Sequence, residues 1–211
     1  MAPFAGDLVR VGLWVGAYLL GSLPSGLLVA LATHGIDVRG QGSGNIGTAN
    51  VYRVAGRGPA ALTFLGDALK GLLPVVAGRL LGLPLWVLLV AGAAAVAGHN
   101  WSIFLRGRGG KGIATSLGVV VGIAPPVALL AGLVWGVVIA ASRYASLASL
   151  LMMASVPVLL ALLGYADPYW LFGLVLVALA VYRHRANIGR LVGGTELKIS
   201  TGGIGLGGRG N

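Results

Sequence analysis

Between two strongly apolar stretches the chain carries Arg106-Gly107-Arg108-Gly109-Gly110-Lys111-Gly112. Glycine permits left-handed backbone and close approach. Successive backbone N–H groups form an anion-binding concavity, and the lysine and arginines add fixed positive charge. That chemistry suits a phosphate beside a lipid phase; a basic loop that only sets membrane orientation is the plainer reading. Two more polar segments accompany it. Gly40-Gln41-Gly42-Ser43-Gly44-Asn45-Ile46-Gly47-Thr48-Ala49-Asn50 leads to Arg53. Its hydroxyls, amides and glycines suit a loop that wraps an anion and then enters a helix, on which Asn50 and Arg53 share a face. His184-Arg185-Ala186-Asn187-Ile188-Gly189-Arg190-Leu191 precedes Gly193-Gly194-Thr195-Glu196. A basic tail explains the arginines there, but not His184 and Asn187 one helical turn apart. His99 stands before Trp101 and Phe104, which read as interfacial anchors, and is either a site residue or a structural histidine at a helix end. Ser146 and Ser149 follow Arg143-Tyr144 on one helical face, and either hydrogen-bond a substrate or cap the helix. Asp67 and Lys70 lie within an apolar run, where charges are costly, and are expected to form a structural ion pair near its inner end, with a catalytic role as the alternative. The glycine loop is not a nucleotide-binding P-loop: that pattern needs glycine at Leu105 and a hydroxyl residue at Gly112.

These segments need elements to hold them. The 211 residues are 57% hydrophobic and only 9% charged, against about 25% charged in a soluble domain. The fold expected is an all-α integral membrane protein, one domain over residues 1–211 with a short flexible tail from about 200 to 211. The absence of cysteine, with only three histidines and five carboxylates scattered along the chain, excludes thiolate chemistry and offers no metal ligand set. No cofactor is implied. The net charge of +10 sits beside apolar runs, so anionic lipids and phosphorylated substrates are the expected partners, not nucleic acid.

Spanning helices need about 20 apolar residues. The candidates are 8–33, 59–81, 84–99, two short helices within 113–141 separated at Pro125-Pro126, 145–163 and 168–182. That makes a seven-helix transmembrane bundle; a single kinked span at the proline pair would make six. Seven spans with the N-terminus outside put Arg39, Arg53, Arg57, Arg106, Arg108, Lys111 and Arg143 in inner loops. Arg183, Arg185, Arg190, Lys198 and Arg209 then fall in a cytoplasmic C-terminal segment, leaving Arg10 and Arg79 outside. This bias follows the positive-inside rule. The expectation is a multi-pass protein of the cell (plasma or inner) membrane whose site faces the cytoplasm.

Taken in order, the segments resemble the bacterial acyl-phosphate:glycerol-3-phosphate acyltransferases. The resemblance rests on Gly21-Ser22-Leu23-Pro24, on Gly42 to Asn50 with Arg53, and on Gly98-His99 with Phe104-Leu105. It continues through Arg108-Gly109-Gly110-Lys111-Gly112, Arg143-Tyr144 and His184 to Leu191, over nearly the whole chain. The chain departs at Gly47-Thr48-Ala49-Asn50, where the family reads Gly-Ala-Thr-Asn, and at Ser102, where it often has proline. The resemblance implies transfer of a fatty acyl group from acyl phosphate to the 1-hydroxyl of glycerol 3-phosphate, giving 1-acyl-glycerol 3-phosphate (lysophosphatidic acid) and phosphate, a first step of phospholipid synthesis. It implies Lys111, His184, Asn187, Ser43 and Arg53 as catalytic residues. Gly44, Asn45, Gly47, Asn50, His99, Gly109, Gly110, Gly112, Ser146, Ser149 and Arg190 are implied as phosphate and substrate contacts.

Thioester-dependent acyltransferases carry a His-x4-Asp pair. Five residues after His34, His99 and His184 stand Arg39, Phe104 and Gly189, so that device is absent. A mixed anhydride already has a good leaving group, and its phosphate, with a second pKa of about 6, can take the attacking hydroxyl's proton. The reaction is then substrate-assisted; His184 as general base is the alternative. A small-anion transporter or flippase is the competing class, but the chain shows no evident inverted repeat.

Overall fold

The computed structural model describes residues 3–199, with side chains from residue 6 onward. The expected flexible tail lies outside the described residues. Among these, nine α-helices and two short 3-10 turns form, with no strand.

The first apolar run is two helices. α1 (Pro3–Ser22) and α2 (Ser25–His34) meet at Leu23-Pro24. Pro24 lacks an N–H and pushes Leu23 out of the helical region. Two carbonyls at the break are bonded from distant segments: Ser102 Oγ donates to Ser22 O at 2.5 Å, and Lys70 Nζ donates to Leu23 O at 2.6 Å. α3 (Thr48–Ala55) is a short amphipathic helix at the end of the glycine-rich segment, with Val51 and Ala55 buried. α4 (Arg57–Leu80), α5 (Leu85–Asn100), α6 (Ile113–Ile123), α7 (Pro125–Ser142), α8 (Ala145–Leu162) and α9 (Asp167–Val192) follow.

Six stretches are long and apolar enough to cross a membrane: Gly6–His34, Arg57–Leu80, Leu85–Leu105, Pro125–Ser142, Ala145–Leu162 and Asp167–Val192. The proline pair does divide its region, and Pro125 opens α7, where a missing N–H is harmless. α6, however, has 11 residues, about 16 Å at helical rise, roughly half a bilayer core. It is an apolar helix shorter than those six stretches. The last helix runs past Tyr182 to Val192, so the segment from His184 to Leu191 is helical.

The helices form two groups. α1, α4 and α5 pack together, with α2 and α3 against α4, while α7, α8 and α9 pack in sequence. α6 touches both groups, through α4 and through α7. It lies backbone to backbone on α4: a Cβ on Gly71 would sit 2.0 Å from Thr115 O, and one on Gly118 would sit 1.9 Å from Ala68 O. Small residues at such crossings give helices their contact area where lipid removes the hydrophobic drive. Val119, Val127, Met153 and Leu176 fill the core that joins the groups. Leu129, Val137, Leu162 and Leu174 point outward, an apolar exterior suited to acyl chains.

Candidate active site

One cavity of about 590 Å³ opens between the two helix groups, within the range of small-ligand sites. Lys111, Arg53, Arg190, Asn187, His184 and Glu196 gather at its polar part. Lys111 Nζ donates to Asn187 Oδ1 at 2.6 Å, and Asn187 Nδ2 donates to Glu196 Oε1 at 2.6 Å. These two bonds fix which way the Asn187 amide faces. Glu196 also accepts from Ser146 Oγ at 2.8 Å and from Arg190 Nε at 2.7 Å. Burial pushes the Glu196 carboxyl up, but the bonds from Asn187, Ser146 and Arg190 outweigh it and hold it below the usual carboxylate range. Burial pushes Lys111 down from 10.5 to about 8, and Arg190, Arg53 and Arg183 push the same way while Glu196 opposes them. The cluster thus holds a cation that an added anion would stabilise.

His184 is buried on α9, and its Nδ1 lies 2.8 Å from Ala180 O. A carbonyl only accepts, so Nδ1 carries the proton and Nε2 offers its lone pair. Arg53 Nη2 donates to Leu197 O at 3.0 Å, while its Nε is buried with no hydrogen-bond partner. Thr48 Oγ1 is likewise buried and unpartnered, and Thr48 lies on the cavity wall. The segment after α9 crosses this site: Ile199 N–H donates to Arg143 O at 2.8 Å, and Glu196, Leu197 and Ile199 all line the cavity.

The glycine loop is closed on itself rather than open as a cradle. Gly110 N–H donates to His99 O at 2.9 Å. Arg183 of α9 donates to Gly109 O at 3.0 Å and to Gly110 O at 2.7 Å, and its guanidinium lies 5.6 Å over the Trp101 ring. A Cβ on Gly110 would fall 2.1 Å from His99 Nε2, so glycine here permits contact. Gly109 and Gly110 are off the cavity wall; Gly112 and Lys111 are on it. In the first polar segment Gly44 is also off the wall, its N–H given to Gln41 O at 2.9 Å. Asn50 reaches the wall, but its amide serves the loop, accepting from Ser43 N–H at 2.7 Å and donating to Val38 O and Gln41 O. Asn45 Oδ1 accepts from Gly47 N–H at 2.8 Å in a local turn. Ser43, Asn45 and Gly47 line the cavity, as do Ser146 and Ser149.

His99 lines the cavity from the other side, within a buried cluster. Asp67 and Lys70 pair at 2.6 Å, with His99 Nδ1 3.6 Å from Asp67 Oδ1. Sequence reasoning passed over Glu196 as a site residue, although an acid within a run of arginines was the available signal. It also assigned Thr48 no role, and Arg183 only a tail charge. Asp37, the other acid near the inner loops, instead pairs with exposed Arg39 at 2.6 Å. That pair holds its carboxyl down at about 2.

Beyond the polar part, the wall turns apolar, with Phe64, Leu117, Trp135, Ile139 and Met152. A cationic pole joined to an apolar slot suits an amphiphile. The family model for glycerol-3-phosphate acyltransferase matches residues 11–194. The chain belongs to this family. A glycerol-3-phosphate acyltransferase of Desulforudis audaxviator is 51% identical over 185 residues, covering 87% of this chain and 92% of that protein. One from Rubrobacter xylanophilus is 50% identical, covering 90% and 96%. Among solved structures, the integral membrane glycerol 3-phosphate acyltransferase PlsY (YgiH) in its glycerol 3-phosphate form has a TM-score of 0.86 at 41% identity, covering 92% of this chain and 96% of that one. Its lysophosphatidic acid form has a TM-score of 0.85. The chain is thus a glycerol-3-phosphate acyltransferase family member, a multi-pass membrane acyltransferase of phospholipid synthesis.

Proposed function

We propose that this acyltransferase moves a fatty acyl group from acyl phosphate to the 1-hydroxyl of glycerol 3-phosphate, releasing 1-acyl-glycerol 3-phosphate and phosphate. The observation that carries the reading is the joining of a phosphate-suited cluster, Lys111, Arg53 and Arg190, to an apolar slot in one cavity. Both substrates carry phosphate, and one carries an alkyl chain. The solved relatives named for glycerol 3-phosphate and lysophosphatidic acid forms support the acceptor and product. Lys111 and Arg53 neutralise phosphate charge, with Ser43 and Arg190 assisting. Asn187 and His184 orient the glycerol hydroxyls from one face of α9. The attacking oxygen bonds to the carbonyl carbon, the carbon–oxygen bond to phosphate breaks, and the departing phosphate takes the hydroxyl proton. The protein contributes positioning and charge stabilisation. In this reading His184 Nε2 accepts a hydrogen bond from the acceptor without removing its proton.

The reading has α6 as a seventh, partial crossing, the N-terminus outside, and the site open to the cytoplasm of the cell membrane. It needs no cofactor. Among the described residues no group of three His, Asp or Glu side chains clusters as a metal site, and activity should survive chelators. The test is phosphate release from palmitoyl phosphate by purified enzyme, with and without glycerol 3-phosphate. Release that requires glycerol 3-phosphate, with lysophosphatidic acid as co-product, is expected; acceptor-independent release or no release rejects the reaction. His184→Gln then decides the proton's route: an unchanged pH profile keeps the donor's phosphate as acceptor, and loss of the acidic limb makes His184 the base.

A further inference from the structure

We infer that Gly132 sets the acyl-chain length this enzyme accepts; the inference rests on the acyl-transfer reading above. The apolar slot runs along α7, which lines it with Gly132, Trp135 and Ile139. These positions, i, i+3 and i+7, share one helical face. The turn at Arg143 leads from α7 directly to Ser146, which bonds Glu196 in the polar cluster. Ile139 therefore lies nearest the phosphate pole and Gly132 farthest from it. From Gly132 to Arg143 the helix covers about 16 Å at 1.5 Å per residue. The deepest wall residue of α8 is Met152, about 10 Å beyond Ala145 by the same rise. Gly132 thus lies past the reach of the facing helix.

At this far level α7 presents no side chain. A Cβ on Gly132 would meet nothing within 4 Å, so an added side chain enters open slot volume without displacing a neighbour. Trp135, one turn nearer the pole, packs against the core and fixes the wall beside it. Gly136, the next glycine of α7, is exposed and off the cavity wall, and its Cβ would also meet nothing. The two glycines therefore offer the same substitution inside and outside the slot. With glycine at 132 the slot admits the distal part of a long chain. With a larger residue it ends about two methylenes sooner, and each excluded methylene is worth about fourfold in binding.

The test measures kcat/KM for lauroyl, myristoyl, palmitoyl and stearoyl phosphate with the purified full chain. Gly132→Leu should lower the palmitoyl-to-lauroyl ratio roughly fifteenfold, the product of two such methylene steps. Gly132→Ala should lower it by a smaller factor and serves as the readout if the leucine variant does not fold. Gly136→Leu should leave the ratio unchanged. A ratio unmoved in the Gly132 variants, or moved equally by Gly136→Leu, overturns the inference. Failure of the parent reaction looks different: the unsubstituted enzyme would then release no phosphate in response to glycerol 3-phosphate at any chain length.

Discussion

Lys111 should give the enzyme an alkaline limb that no arginine can reproduce. Burial lowers its pKa from 10.5 to about 8, a penalty on the cation of about 3 kcal/mol at 1.36 kcal/mol per unit. The charged form is the one that binds phosphate. Acceptor kcat/KM should therefore be level below about pH 8 and fall tenfold per unit above it. Once a phosphate dianion sits beside the ammonium, the cation is favoured again, so the limb in kcat should lie at higher pH than the limb in kcat/KM. Lys111→Arg should abolish the limb, since guanidinium stays charged throughout. It should also run slower, because the larger planar head cannot repeat the 2.6 Å bond to Asn187. Lys111→Met should lose orders of magnitude in turnover yet melt higher at neutral pH. The sign follows from a folded pKa below the unfolded one: the cation's cost is full below about pH 8 and gone by about pH 10.5. The lost hydrogen bond returns about 1 kcal/mol, leaving a net gain of about 2 kcal/mol. The assay is acceptor-dependent phosphate release from palmitoyl phosphate over about pH 6 to about pH 10, corrected for spontaneous hydrolysis. A flat wild-type profile through about pH 9.5, or the same limb in Lys111→Arg, would refute the assignment.

Asp67→Asn should strand a buried Lys70 beside His99 and cost about 3–5 kcal/mol, read as a lower Tm in detergent; an unchanged Tm would show that the pair holds nothing. Gly110→Ala should lose about 1–3 kcal/mol through forced contact with His99 and lower activity with it. Exposed Gly189, whose Cβ meets nothing and whose backbone is helical, should tolerate alanine better, and equal losses at both positions would refute the close-packing argument. Single cysteines at exposed Gln41, Arg108 and Thr195 should resist an impermeant maleimide in intact cells and react after permeabilisation; labelling of all three from outside would reverse the proposed orientation.

Much of this architecture was legible in the sequence because the physics behind it is local. Proline without an N–H opens α7 at Pro125, and the apolar runs mark the long helices. The break in the first span escaped, because composition stays apolar through Leu23-Pro24 and the two side chains that satisfy it, Lys70 and Ser102, come from far along the chain. In the site, residue types and spacing pointed to segments that the fold brings together, since Lys111, His184, Asn187 and Arg53 all reach one cavity. Their couplings were not readable. Lys111 meets Asn187 only because α9 passes the glycine loop, and Glu196 reaches Ser146 only because the chain folds back after α9. The glycines illustrate the limit most clearly: sequence shows that a loop lacks side chains, and only packing shows whether the freed space admits an anion or, as at Gly110, a histidine ring.

The stitched break between α1 and α2 also has a consequence for biosynthesis. Gly6–His34 is apolar enough to enter the membrane ahead of α4, with the Ser22 carbonyl at the proline break still lacking Ser102 and the Leu23 carbonyl holding only the local Ser25 N–H. A carbonyl in hydrocarbon without its donor is costly, so this segment cannot settle into its final shape until the turn beyond α5 has arrived with Ser102. Lys70 arrives already committed to Asp67 on its own helix, which eases its passage into lipid. Assembly order is thus written into the break: a helix pair that precedes α4 and α5 in the chain is completed only after both.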